Sequence, residues 1–278
     1  MKKILIIFFF ILMTAIYITI NNNLTKTINK DFEEYLSNAN KLISFKEKSS
    51  GMTIYFLKNN KTITNFLNIT TYVKNDKKVS IIDSLHRGVI PEHNIIAYTE
   101  EYSFQNKSVV CVNYTDITTN KTLFNWTCME VKYPCYMNYR IEIKMLENLY
   151  NKNALIFESE KSNTISGISC KEIKIDINIS KLDLEDKRFL FMFARYMQDP
   201  QRLGLIELIK TVYISFCIEP TKGIVLQKNI SIVMDESRLE EDNFYKIETT
   251  TNVDSFIPNV EISDEIFKLP NETIQIVL

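Results

Sequence analysis

The alternation of apolar and polar residues between Thr164 and Met234 is the strongest constraint on this chain. In Ile168-Ser-Cys-Lys-Glu-Ile-Lys-Ile-Asp-Ile-Asn-Ile-Ser180, the residues Ile173, Ile175, Ile177 and Ile179 alternate with Glu172, Lys174, Asp176 and Asn178. Successive side chains of a strand point to opposite faces, so this reads as a half-buried strand. Val212 to Glu219 repeats the pattern, with Val212, Ile214, Phe216 and Ile218 on one face and Tyr213, Ser215, Cys217 and Glu219 on the other. Ile224 to Met234 turns Ile224, Leu226, Ile230 and Ile232 inward and Gln227, Asn229 and Ser231 outward. Cys170 and Cys217 share the polar parity of their strands, the placement that a bridge between neighbouring strands requires.

Between the two cysteine strands lies Lys181 to Lys210. Ser180 followed by Asp183 marks a helix start, with an acid placed to meet free amide hydrogens. Asp199-Pro200 ends that helix and opens a second, because proline fits a first turn but not a helix interior. The first helix carries Phe189, Leu190, Phe191, Met192, Phe193, Tyr196 and Met197, an apolar surface wider than one core-facing stripe. Either it is ordinary core buried on several sides, or it lines something apolar.

Met1-Lys2-Lys3 precedes seventeen uncharged residues, Ile4 to Ile20, followed by Asn21-Asn22-Asn23. A helix of that length spans about 25 Å against a hydrocarbon core of about 30 Å, and flanking lysines can snorkel across the difference. A cleaved signal ends in small residues at alternate positions, whereas this run ends Thr14-Ala-Ile-Tyr-Ile-Thr-Ile20. Residues 1–20 are therefore expected to be a retained signal anchor, 21–30 a polar tether and 31–278 one extracytoplasmic domain. The two lysines hold the N-terminus in the cytoplasm, which makes a single-pass protein of the cell membrane. Cleavage would make a secreted one. No cysteine follows the apolar run, so acylation there is not expected.

Ten Asn-x-Ser/Thr sequons begin at Asn23, Asn60, Asn68, Asn106, Asn113, Asn120, Asn125, Asn178, Asn229 and Asn271, an excess even for an asparagine-rich chain. Asn178 and Asn229 fall on the outward parity of their strands, where a glycan fits. Five cysteines leave at least one unpaired within the chain, and an exported domain would oxidise the others. Parity joins Cys170 to Cys217, and a hairpin turning at Thr118 to Lys121 would set Cys111 opposite Cys128. Without a Cys-x-x-Cys pair, a structural zinc is not expected. A net charge of -1 gives no basic field, so nucleic acid is excluded as a partner.

Along the chain, Asp31 to Lys46 reads as an amphipathic helix with Phe32, Tyr35, Leu36, Ala39, Leu42 and Ile43 on one face. Strands are expected at Met52 to Lys58, Thr62 to Lys74, Lys78 to Leu85, Tyr102 to Tyr114, Thr122 to Val131 and Glu240 to Ile257, with loop and a short strand over Val89 to Thr99. Tyr136 to Lys152 fits helix or strand, and helix is preferred. Runs of strands with segregated helices indicate an α+β domain built on one large antiparallel sheet.

The C-terminal third contains Ser166-Gly-Ile-Ser-Cys170, Cys217-Ile-Glu-Pro-Thr-Lys-Gly-Ile-Val-Leu226, Tyr245-Lys-Ile-Glu-Thr-Thr-Thr-Asn252 and Ser263-Asp-Glu-Ile-Phe-Lys-Leu-Pro270. In these segments it resembles the LolA/LolB-like superfamily of lipoprotein-sorting and lipid-carrier proteins, the archaeal membrane-anchored members in particular. The resemblance implies a strongly curved half-barrel wrapped over helices, with an apolar hollow for acyl chains. It departs from the lipoprotein members in lacking their acylated cysteine.

No catalytic signature is present. His86 and His93 with Glu92 would make a poor metal site, and Gly88 and Pro91 suggest an exposed loop there. The five glycines lie too far apart to cradle a phosphate. No enzyme activity, cofactor or metal is expected. Two functions remain. In one, Phe189, Phe191, Phe193, Tyr196 and Met197 line a cavity for a lipid or acyl chain. In the other, they fill a core, and the anchored glycoprotein acts through its exterior on a protein partner at the cell surface.

Overall fold

The structure is a computed structural model that describes residues 26–75, 77–87, 94–104, 108–131, 139–165, 167–194, 204–240, 243–269 and 274–276. Its first helix, α1, covers 26–39. Six strands follow: β1 (Ser44–Leu57), β2 (Thr62–Lys74), β3 (Lys77–Arg87), β4 (Asn94–Ser103), β5 (Ser108–Asp116) and β6 (Lys121–Val131). Then come α2 (Tyr139–Asn151), β7 (Leu155–Ile165), β8 (Ile168–Ile177) and α3 (Leu184–Phe193). The chain ends with β9 (Ile209–Glu219), β10 (Ile224–Met234), β11 (Phe244–Pro258) and β12 (Ile274–Ile276).

All the strands join one sheet in the order β12-β6-β5-β4-β3-β2-β1-β11-β10-β9-β8-β7. Neighbours are antiparallel except the short β12, which lies parallel to β6. Among the described residues the sheet is not closed, and with three α-helices it makes the expected α+β fold. The centre of the sheet is the β1/β11 pair, running from Phe45 opposite Pro258 to Leu57 opposite Phe244. The first strand and the last long one therefore meet within the sheet, and the hairpins fan out on either side.

Alternation decides what each face does. The inner face of β8 to β11 presents Ile173, Ile175, Ile214, Phe216, Ile230, Ile232 and Ile247, and this is the floor of the main core. Phe32, Tyr35 and Leu36 of α1, Ile143, Leu146 and Leu149 of α2, and Phe189 and Leu190 of α3 cover it. The inner face continues through β1 to β5 in a different chemistry, with buried Ser49, Thr53, Thr71, Ser80, Ser84 and Thr99. On the outer face, Val79, Tyr102, Val109, Cys111 and Cys128 form a second cluster beneath Ile262 and Phe267 of the C-terminal segment. That segment is tied to strand ends on its way: Asn259 N donates to Ser44 O (2.7 Å), Lys74 Nζ donates to Ile262 O (3.0 Å), and Lys74 pairs with Asp264 (3.2 Å).

Several elements differ from the periodicity. The first helix is already formed at residue 26, inside the stretch read as tether, and Ile28 is buried. It stops at residue 39, where Lys41 N and Leu42 N turn back to Asn38 O and Ala39 O, so Ile43 is solvent-exposed. The strand expected from Tyr102 to Tyr114 is two strands, with buried Ser103 and Ser108 facing each other across the reversal at Oγ to Oγ 3.0 Å. In β10 a bulge between Val225 and Gln227 resets the parity. Val225 thereby packs on the main core, while Ile224 and Leu226 pack against Cys170 and Cys217. The cap of α3 is Asp183 rather than Ser180, which lies in a 3-10 turn. Among the described residues no helix is long and apolar enough to cross a membrane. The expected anchor over Met1 to Ile20 lies outside the described residues.

Candidate functional site

The sheet curves so that the inner faces of β1 to β3 and of β9 to β11 bound one cavity of about 110 Å³, with Tyr35 of α1 at its wall. One side presents Phe45, Ile69 and Ile82 together with Glu47, Lys78 and Ser80. The other presents Phe216, Val225 and Val253 together with Lys228 and Thr251. The lining is thus mixed, apolar where Phe and Ile face each other and polar where lysines, a carboxylate and hydroxyls enter. Lys228 Nζ stands 3.9 Å from the centroid of the Phe193 ring, a cation–π contact at the cavity margin. Thr71 and Ser80 share a hydroxyl hydrogen bond of 3.1 Å on the opposite side.

The residues expected to line the cavity sit one layer behind it. Phe189 and Phe191 are 0% exposed and Phe193 4%, all within the main core. Phe189 stacks on Phe193 at 5.2 Å, and Phe193 meets the cavity-lining Phe216 edge-on at 5.8 Å. The surplus of apolar residues on α3 is thereby explained, since α3 is enclosed by the sheet and α2 rather than resting on one face. Tyr196 and Met197 lie outside the described residues. Lys228 was not singled out from sequence, although it has the inward parity of Ile230 and Ile232; its charge disguised its position.

A smaller hollow of about 30 Å³ lies further along the inner face, beside Tyr55, Asn65, His86, Thr99 and Glu101. Burial lowers the pKa of His86 and pushes that of Tyr55 up to about 12. His86 is not in an exposed loop, as its neighbours suggested, but on β3, with Nε2 2.8 Å from Ser84 Oγ. His93 and Glu92 lie outside the described residues. Among those described, no three His, Cys, Asp or Glu side chains are grouped to hold a metal ion.

Both disulfides form as the spacing indicated. Cys111 lies directly opposite Cys128 in the β5/β6 register, with Cα atoms 3.9 Å apart. Cys170 joins Cys217 across β8 and β9 with Cα atoms 5.5 Å apart, diagonally, since Cys217 itself faces Glu172. Cys135 lies outside the described residues, as do the sequon asparagines Asn23, Asn106 and Asn271. The other seven share one property. Asn68, Asn113, Asn125 and Asn229 stand on the outer face, Asn60 and Asn120 in turns, and Asn178 at the end of β8. None of these seven points into the cavity.

No protein-family model and no curated protein matches the sequence. Solved structures similar to the chain include the MucA/MucB complex of Pseudomonas aeruginosa, at 8% identity and a TM-score of 0.37 over 87% of this chain. The chain spans 60% of the length of that protein. A β-barrel-like protein of a domain of unknown function from Brucella abortus is similar at 5% identity and a TM-score of 0.33, covering 79% of this chain and 99% of the other. A domain described as an outer membrane lipoprotein-sorting protein from Vibrio parahaemolyticus is similar at 7% identity and a TM-score of 0.27, covering 86% of this chain and 94% of its own.

Proposed function

We propose that the chain is a membrane-anchored, extracytoplasmic binding protein, not an enzyme, and that its cavity receives the end of a hydrophobic ligand, a lipid or an acyl chain. The observation that carries this reading is the cavity itself. Protein interiors leave few voids larger than a water, yet about 110 Å³ stays unfilled between Phe45, Ile69, Ile82, Phe216 and Val253. Pockets that enclose a whole drug-sized ligand measure roughly 300–1,000 Å³, so this one takes a chain end. The spacing of the anchor supports the reading. No more than five residues, 21–25, lie between Ile20 and the described part of α1, a stretch that reaches at most about 18 Å. A domain held that near a bilayer is well placed to exchange an acyl chain with it.

The test is mass spectrometry of lipids that remain on the full-length chain through purification, compared with Val253→Phe, which fills the cavity. Wild type is expected to retain a lipid that the variant loses. Absence of any bound lipid, together with no binding of a fluorescent fatty acid, would leave the second reading: a glycosylated surface protein that acts through its exterior. What favours that alternative is the placement of the seven described sequon asparagines on the outer face, in turns or at a strand end.

A further inference from the structure

The outer face of the sheet carries an apolar row that the described part of the C-terminal segment does not cover. Met52, Phe66, Leu85 and Ile96 are direct cross-strand neighbours on β1 to β4. Phe66 is 39% exposed and Ile96 43%. An exposed phenylalanine in the middle of a central strand has no explanation in core packing, because Leu67 and Ile69 on the opposite parity already supply the buried contacts. Its neighbour along the same face is Asn68, exposed, in the sequon Asn68-Ile69-Thr70. Residues two apart on a strand project from the same face.

We infer that Phe66 is the platform for an asparagine-linked glycan on Asn68, whose first sugar lies with its apolar C–H face against the ring. This rests on the extracytoplasmic reading above, since the modifying machinery works on exported chains. Register fixes which side of the ring is available. Arg87 stands 5.4 Å from the Phe66 centroid and is paired with Thr64, two residues before Phe66. Asn68 lies two residues after it. The ring is therefore flanked by a guanidinium from one side and by the sequon asparagine from the other. A pyranose face offers several C–H groups at van der Waals distance to a ring, each contact weak and the set additive.

The attachment itself is the general one. The Asn68 Nδ2–C1 bond forms as the C1–O bond to the phosphate of a lipid-linked oligosaccharide breaks. Nδ2 releases one proton, and the lipid phosphate departs with the bonding electron pair. It precedes folding, so the mid-strand position of Asn68 is no obstacle. Asn229 supplies an internal control: it is also mid-strand and outward, but the residue two before it is Gln227, whose Nε2 donates to Asn252 Oδ1 (2.8 Å) instead of offering a ring.

The experiment uses the full-length chain expressed in a host that glycosylates asparagine. Glycopeptide mass spectrometry reads occupancy at each sequon, and thermal unfolding is compared before and after enzymatic removal of glycans, for wild type, Asn68→Gln, Phe66→Ala and Phe66→Trp. Asn68 is expected to be occupied. Deglycosylation should lower the melting temperature of wild type and Phe66→Trp by several degrees more than that of Phe66→Ala or Asn68→Gln. Comparing each variant with its own deglycosylated form removes any effect of the substitution on folding. If Asn68 is bare while other sequons are occupied, or if all four proteins lose the same amount, the platform is refuted and the extracytoplasmic reading stands. If no sequon is occupied, the failure belongs to the glycoprotein reading itself.

Discussion

At Gly223 two constraints fall on one atom that is not there. Its φ of +67° is a left-handed conformation, which costs a residue with a Cβ about 1–2 kcal/mol. A Cβ at this position would also fall well inside contact distance of the backbone of Asn38 and Ala39, at the end of α1. Backbone cannot yield as a flexible side chain would, and overpacking costs about 1–3 kcal/mol. Gly223→Ala is therefore expected to lose about 2–5 kcal/mol in urea unfolding. Gly167 has a φ of +79° with nothing within 4 Å of its Cβ position, so Gly167→Ala should lose only about 1–2 kcal/mol. Equal losses would mean that the turn does not press on α1. Elsewhere asparagine does the work of glycine: Asn60, Asn75, Asn120, Asn153 and Asn259 all have positive φ, a conformation that asparagine tolerates better than other residues with a Cβ. The breaks between the strands expected at Met52 to Lys58, Thr62 to Lys74 and Lys78 to Leu85 were legible in the sequence for this reason.

Between elements, α2 and α3 are clasped by a small charged network. Asp183 and Asp186 cap α3 reciprocally: Asp183 N donates to Asp186 Oδ2 (3.0 Å), and Asp186 N donates to Asp183 Oδ1 (2.9 Å). Lys152, just beyond α2, donates to both carboxylates at 2.7 Å, and Asn148 Nδ2 donates to the buried Asp186 (2.9 Å). The Lys152 hydrogen bond, then the Asp186 N–H, hold the Asp183 carboxyl below its ordinary pKa. A depressed carboxylate stabilises the fold above its unfolded pKa, and that contribution disappears as pH falls through the lowered value. Acid unfolding followed by circular dichroism should therefore begin at higher pH in Lys152→Met than in wild type. An unchanged acid limb would mean that the clasp contributes nothing. Loss of the cap in Asp183→Ala should cost about 0.5–2 kcal/mol.

The same scale shows what the sequence made legible. β2 and β10 have the bounds that alternation assigned, because one face of each is buried and the other wet. β7 went unread: it is an edge strand, rich in polar residues from Glu158 to Thr164, so no apolar alternation marks it. The α3 phenylalanines were visible as an apolar surplus, but a surplus does not distinguish a helix enclosed by neighbours from one beside a void. The cavity was invisible because its lining comes from strands far apart in sequence, brought together by curvature. A lysine at an inward position, Lys228, was the local sign of it.

For the molecule as a whole, the two disulfides secure opposite wings of the sheet. Cys111–Cys128 closes a separation of 17 residues and Cys170–Cys217 one of 47. Through loop entropy in the unfolded chain these are worth about 3 and about 4 kcal/mol. Paired replacement by serine should thus cost more at Cys170 and Cys217 than at Cys111 and Cys128, read from denaturant midpoints. The reverse order would indicate that strain or residual structure outweighs chain entropy.

The central seam also sets a timetable. Thr53 and Thr249 share a hydroxyl hydrogen bond across β1 and β11 although 196 residues separate them. At about 5–20 residues per second a ribosome needs roughly 10–40 s to make that stretch. For all that time β1 has emerged with its β2 side paired and its other edge bare, a template for any passing strand. The nascent chain thus depends on whatever shields that edge, and only when the last long strand arrives do the two wings become one protein.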